Sequence, residues 1–237
     1  MAPTLTDPIA ITDLADLTDA LAAHGLIPRG AFHPDPEDGV PPGADGAPAR
    51  TLVPVGHAGP AMWAAFAAAR TDGPDPLDVW SRRVLDAVAA RTGGWALFPF
   101  DGPPYAPFQR WAMRAEPVHP SPLGILIHPD YGLWHGYRGA LAFADRLEPP
   151  SPDRRPPPCA TCADRPCLAA CPVDAFTGAE YRVGDCAAHL AAPAGATCMT
   201  GGCLARLACP VGRAHAYGPD QTAFHMAAFR RSRTSGA

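Results

Sequence analysis

The sequence predicts an α+β chain in two parts: a small α/β domain over residues 1–147 and a cysteine-bearing module over 159–237, joined by a linker at 148–158. Three observations lead there. Apolar runs of strand length alternate with helical patterns through the first part. The stretch "EPPSPDRRPPP" at 148–158 holds six prolines in eleven residues, a stiff, extended segment that no helix continues through. All eight cysteines fall between 159 and 209, starting where the linker stops.

A first helix is signalled by Leu14, Leu17 and Leu21, with Asp13 near its start and Gly25 just past its end. Residues 35–50, "DPEDGVPPGADGAPAR", are polar, rich in Pro and Gly and without periodicity, so they read as a mobile loop. "TLVPV" at 51–55 reads as a short strand, and an Ala-rich helix carrying Met62, Trp63 and Phe66 follows. A clearer helix runs from about 76 to 91, with Asp75 as N-cap, Pro76 in the first turn, a stripe of Leu77, Trp80, Val84 and Val88, and Gly93 as C-cap. "WALFPF" (95–100) and "LGILI" (123–127) have strand length. Residues 133–146 place Leu133, Tyr137, Leu141 and Ala144 on one helical face, which predicts a last helix for this domain. Near the end, 218–231 predicts a helix from about 220 that packs Phe224, Ala228 and Phe229 inward, and 231–237 reads as mobile.

With 237 residues the chain can form a sizeable core without covalent staples. A formal net charge of −4 leaves no global basic footprint, which argues against a nucleic-acid partner. The first twenty residues contain four Asp and no basic residue, unlike a secretory signal, and no apolar run reaches the length of a membrane span. The expected setting is the cytoplasm, away from membranes. In that reducing compartment four disulfides are a poor use for eight cysteines, and metal binding is the better reading.

The cysteine segment repeats itself: "CLAACPV" at 167–173 returns as "CLARLACPV" at 203–211. Each half ends in Cys-Pro, which suggests two pseudo-symmetric sites. Cys159, Cys162 and Cys167 are close enough in sequence for one loop to present three thiolates to one centre, and Cys171 follows one helical turn later, where Pro172 ends the turn. In two-cluster ferredoxins the Cys of the Cys-Pro pair ligates the other cluster. Applied here, one [4Fe–4S] cluster takes Cys159, Cys162, Cys167 and Cys209, and the other takes Cys171, Cys186, Cys198 and Cys203. Two tetra-thiolate zinc sites satisfy the same count, but zinc knuckles do not need the paired Cys-Pro endings. His189, His215 and His225 read as packing or surface residues, because the cysteines fill every ligand position.

"CATCADRPCLAACP" resembles the ferredoxin-type segments of iron–sulfur electron-transfer subunits. The wider stretch "LIHPDYGLWHGYRGALAF", followed by the Pro-rich linker and the cysteines, is similar to the epoxyqueuosine reductase family. That resemblance implies a reduced nitroreductase-like fold for the N-terminal α/β domain, a ferredoxin-like two-cluster module, and cobalamin beside the clusters. The chain departs from the family in its Cys198-x4-Cys203-x5-Cys209 spacing, and residues 1–122 offer no match for the family's catalytic acid. Asp130 and His135 read first as turn and helix-start residues. His128, Tyr131, Trp134 and Arg138 are the candidate lining of a pocket for a corrinoid or flavin between the domain and the nearer cluster.

The reading this favours is an electron-transfer protein that carries two [4Fe–4S] clusters and exchanges electrons with an unidentified redox partner protein. The alternatives are a corrinoid-dependent reductase and a non-catalytic protein whose metal only folds its module. Ala-rich surroundings such as "CLAACP" and "CAAHLAAP" offer few side-chain hydrogen-bond donors, which predicts low reduction potentials at both sites.

Overall fold

The computed structural model describes residue 11 and residues 13–151 and 153–234. It mixes helix and sheet, and the chain divides into two compact units: residues up to Pro117 with Gly136–Arg154, and Val118–His135 with Arg155 onward. The second unit therefore takes a segment that chain order alone would assign to the N-terminal domain.

In the first unit α1 (Leu14–Ala22) begins at a capping box formed by Asp13 and Asp16, and it buries Leu17 and Leu21 completely. Strand β1 (Ile27–Pro28) pairs antiparallel with β2 (Thr51–Ala58), Ile27 opposite Gly56. Helix α2 (Trp63–Ala69) buries Phe66, and α3 (Pro76–Thr92) buries Leu77, Trp80, Val84, Leu85 and Val88. Gly93 ends α3 at φ 71, the left-handed conformation that a C-cap glycine supplies. Asp75 does not cap α3 through its side chain; it adopts a left-handed backbone at φ 47. Strand β3 (Trp95–Leu97) and α4 (Phe108–Ala115) follow.

The chain then enters the second unit as a short antiparallel hairpin, β4 (His119–Pro120) with β5 (Leu126–Ile127). It returns to the first unit in β6 (His135–Phe143). This strand is a correction to the predicted helix over 133–146. Ala140, Leu141, Ala142 and Phe143 are consecutive and buried, so both faces of the strand are covered and the helical stripe was a coincidence of a continuous apolar run. Two glycines make the strand possible. A β-carbon on Gly139 would lie 2.5 Å from Leu85 Cδ1, and one on Gly56 would lie 2.2 Å from the Gly136 carbonyl oxygen. The sheet order is β1-β2-β6-β3, with Trp95 opposite Ala142.

The 35–50 segment is pinned rather than free. Arg114 of α4 pairs with Asp35 at 2.9 Å and with the buried Asp38. The indole of Trp111 donates to the Asp38 carbonyl at 2.9 Å, and that of Trp95 to the Pro41 carbonyl at 3.2 Å. Polar composition hid these contacts because the anchors lie far along the chain. Deeper inside, Arg29 and Glu116 form a buried ion pair, and the Tyr137 hydroxyl donates to the same carboxylate. Burial, and then the Glu116 charge, push the Tyr137 phenol above its ordinary range.

The second unit continues with short helices: α5 (Pro166–Ala169), α6 (Val183–Ala191), α7 (Ala196–Gly201), α8 (Leu204–Ala208) and α9 (Pro219–Thr234). The two halves of the repeat fold alike, each as one helical turn leading into Cys-Pro, and α5 packs on α8. The core here is small: Leu123, Ile127, Leu133, Phe176 and Ala205 close around the cysteines. Helix α9 packs on α7 and α6 with Phe224, Ala228 and Phe229 half-buried, and Gln221 is its fully buried residue. It runs on through Thr234, beyond the predicted mobile start at 231; residues 235–237 lie outside those described.

Candidate functional site: two four-cysteine cavities

All eight cysteines belong to the second unit, and none is in a disulfide. Cys159, Cys162, Cys167 and Cys209 line one cavity, walled by prolines, Ile127, Val211 and one charged side chain, Arg165. Cys171, Cys186, Cys198 and Cys203 line a second cavity of about 250 Å³. Leu123, Ile125, Met226 and Phe229 are among its apolar walls, and Tyr181, His189, Arg206 and His225 add polar groups. Each Cys-Pro cysteine thus stands with the set from the other half of the repeat.

Local chain geometry places the sulfurs. Cys159 lies in a single 3-10 turn at Pro158–Ala160, and Cys167 follows Pro166 at the first position of α5, where a proline costs no hydrogen bond. Arg165 just before it has φ 39, a left-handed conformation unusual for a residue with a side chain. Cys171 follows the end of α5, and its sulfur accepts the Ala175 N–H at 3.3 Å. Cys186 is on α6, Cys198 on α7, and Cys203 and Cys209 flank α8 as its N-cap and C-cap. The amides of Arg206 and Ala205 point at the Cys203 sulfur and that of Leu204 at Cys198.

Electrostatics follows the same partition. Burial raises the Cys159 thiol first, and the neighbouring thiols of Cys209, Cys167 and Cys162 raise it further; Cys167 responds to burial, Cys209 and Cys162. In the other set burial raises Cys198 and Cys203, and each also feels Cys186 and Cys171. Raised thiols are protonated at neutral pH, so a metal that binds them must displace protons.

The spacing of the donors bears on what could fit. Among the described residues no three His, Cys, Asp or Glu side chains converge closely enough to hold a single metal ion. Tetrahedral zinc, with sulfur at about 2.3 Å, would draw four sulfurs to within about 4 Å of one another. A four-iron cubane offers a separate iron to each thiolate and keeps the sulfurs farther apart. Four soft donors around each cavity, with main-chain amides directed at several of the sulfurs, suit a thiophilic metal centre.

Two side chains at the second cavity go beyond the sequence reading: His189, expected there as a packing or surface residue, and Tyr181, which that reading does not consider. His189 sits one turn after Cys186 on α6, and its Nε2 is 3.7 Å from Cys198 Sγ. Tyr181 lines the same cavity beside Cys186, and burial, then its interaction with Cys186, push the phenol above its usual range. The i,i+3 spacing of Cys186 and His189 was the available signal.

Of the pocket candidates, His128, Tyr131 and Trp134 lie in the second unit and Arg138 in the first. The first three are engaged in the packing of their own unit. His128 Nδ1 accepts the N–H groups of Asp130 and Tyr131, its ring stacks on Tyr131 with centroids 4.3 Å apart, and Asp130 pairs with Arg155 through both carboxylate oxygens at 2.7 Å. Trp134 meets Tyr217 edge to face and carries the Arg206 guanidinium 4.4 Å above its ring. His135 Nε2 contacts the Leu126 carbonyl at 3.1 Å. Arg138 lies on β6, where its charge acts on the half-buried Asp78.

No protein-family model matches the chain, and no curated protein matches it. Among solved structures it is similar to a crystal structure of epoxyqueuosine reductase with a tRNA-Tyr epoxyqueuosine-modified tRNA stem loop, at 17% identity and a TM-score of 0.46. The match covers 72% of this chain and 50% of that one, so the chain spans about half the length of that enzyme. At this distance the likeness transfers no activity. No helix among the described residues is long and apolar enough to cross a membrane.

Proposed function

We propose that the protein is an iron–sulfur electron-transfer protein with two [4Fe–4S] clusters, one on Cys159, Cys162, Cys167 and Cys209 and the other on Cys171, Cys186, Cys198 and Cys203. The observation that carries this reading is the sorting of eight cysteines into two cavities of four, in the crossed pattern expected of paired Cys-Pro motifs. A [4Fe–4S] core supplies one-electron chemistry, taking up and giving back a single electron with no bond made or broken. The residues of the chain fix the rest. Prolines and aliphatic side chains line most of the first cavity, the short helices α5 and α8 hold their cysteines in register, and main-chain amides offset thiolate charge.

The test is anaerobic reconstitution with iron and sulfide, followed by titration with dithionite and back-titration with a one-electron acceptor. The reading expects visible absorption that bleaches and returns, with about two electron equivalents per chain, one per cluster. Absence of any bleachable absorption would overturn it. Cobalamin added to the reconstituted protein should keep its own spectrum; a perturbed spectrum would instead favour the corrinoid-dependent reductase.

A further inference from the structure

The two cavities differ in the groups that touch their sulfurs. At the Cys171, Cys186, Cys198 and Cys203 site two polar side chains stand beside the sulfurs: His189, whose Nε2 is 3.7 Å from Cys198 Sγ, and Tyr181, beside Cys186, each able to donate to a ligating thiolate. Both line the cavity with those cysteines. At the other site the walls are hydrocarbon apart from Arg165, and the amides near Cys167 are main-chain groups.

A hydrogen bond to a ligating sulfur stabilises negative charge there, and reduction adds negative charge, so each such bond favours the reduced state. The effect is largest in a low-dielectric setting, where water cannot screen it. Arg165 works in the same direction at the first site, but it is exposed and its charge is screened. Its counterpart at the second site, Arg206, is held in place. It donates to the Leu133 carbonyl and lies over the rings of Trp134 and Tyr217, 4.4 and 4.5 Å from their centroids. Donors and fixed charge therefore both favour the second site.

We infer that the protein is built with two unequal redox sites, and that His189 and Tyr181 make the Cys171, Cys186, Cys198 and Cys203 site the one with the higher reduction potential. This rests on the iron–sulfur reading above. It refines the expectation of low reduction potentials at both sites, which rested on the alanines near the cysteines in sequence, by adding donors that arrive from other turns of the fold.

The two donors can be removed with little disturbance. Tyr181 stacks on Phe176 with centroids 4.4 Å apart, so Tyr181→Phe keeps the ring and deletes only the hydroxyl. His189→Phe keeps a ring of similar size. The experiment is an EPR-monitored potentiometric titration of the anaerobically reconstituted full chain, with Cys162→Ser used to assign the signal of the first site. Iron and sulfide are measured beforehand. The inference predicts two separate midpoint potentials in the wild type. Tyr181→Phe and His189→Phe should each shift the higher one downward and leave the lower one in place, and the double variant should narrow the gap further. A single common potential, or variants that leave the higher potential unmoved or shift the lower one instead, would overturn it while the clusters stand. A chain that takes up no iron and sulfide would sink both this inference and the functional reading, and the metal analysis alone reports that case.

Discussion

Gly132 and Gly212 meet backbone to backbone. A β-carbon on Gly212 would lie 2.4 Å from the Gly132 nitrogen, and one on Gly132 would lie 2.0 Å from the Val211 carbonyl oxygen. Both residues also have positive φ, 57 and 70. This contact is why the segment Val118–His135 belongs with the cysteines rather than with the sheet that surrounds it in sequence: the turn closed by His128 and Gly132 is seated on the chain just after Cys209-Pro210. Gly132→Ala should therefore destabilise the second unit by at least about 2 kcal/mol, combining backbone strain with a clash against main chain. Gly124, at φ 73 with open space around it, provides the comparison; Gly124→Ala should cost about 1 kcal/mol. Urea denaturation of the two variants checks the difference.

Cys209→Ser should disable the site of Cys159, Cys162 and Cys167, although Cys209 is nearer in sequence to Cys203. The shared cavity motivates this, as does the contribution of Cys209, after burial, to the raised thiols of both Cys159 and Cys167. Iron content should fall by about half. The EPR signal that survives should be the one that Tyr181→Phe shifts; survival of the other signal would contradict the pairing.

Gln221 is fully buried, and among the described residues neither atom of its side-chain amide has a hydrogen-bond partner. A buried amide in that position carries a desolvation cost of about 1–3 kcal/mol that nothing offsets. Gln221→Met, close in volume and apolar, should raise the thermal midpoint of the protein. A lowered midpoint would show that the amide is bonded after all.

The ion pair of Arg29 and Glu116 is 1% and 8% exposed, and the guanidinium also donates to the His57 carbonyl at 3.1 Å. Glu116→Leu removes the carboxylate that balances the buried charge of Arg29, at a cost of about 3–5 kcal/mol. The double variant Arg29→Met, Glu116→Leu should recover most of that loss. Thermal denaturation of the single and double variants tests it: equal losses in both would place the contribution in packing rather than charge.

Caps and stripes made α1 and α3 legible in the sequence, because Asp13, Gly93 and the buried Leu and Val positions act within a turn or two of the chain. Strand β6 was not legible. Gly136 and Gly139 matter only through His57 and Leu85, which come from distant elements, and a strand covered on both faces loses the alternation that marks a half-exposed one. The division of the cysteines into two groups could be reasoned from the repeated Cys-Pro ending, since the ferredoxin rule ties each ending to the opposite half. The hydrogen-bonding roles of Tyr181 and His189 could not, because filling eight ligand positions with eight cysteines leaves no reason to ask what else touches the sulfur.

The most direct test of the two-cluster account is iron and acid-labile sulfide analysis of the anaerobically reconstituted protein, read together with its zinc content. The account predicts about eight iron and about eight sulfide per chain, four of each per site, and no stoichiometric zinc. About two zinc per chain without sulfide would contradict it and make both cavities tetra-thiolate zinc sites.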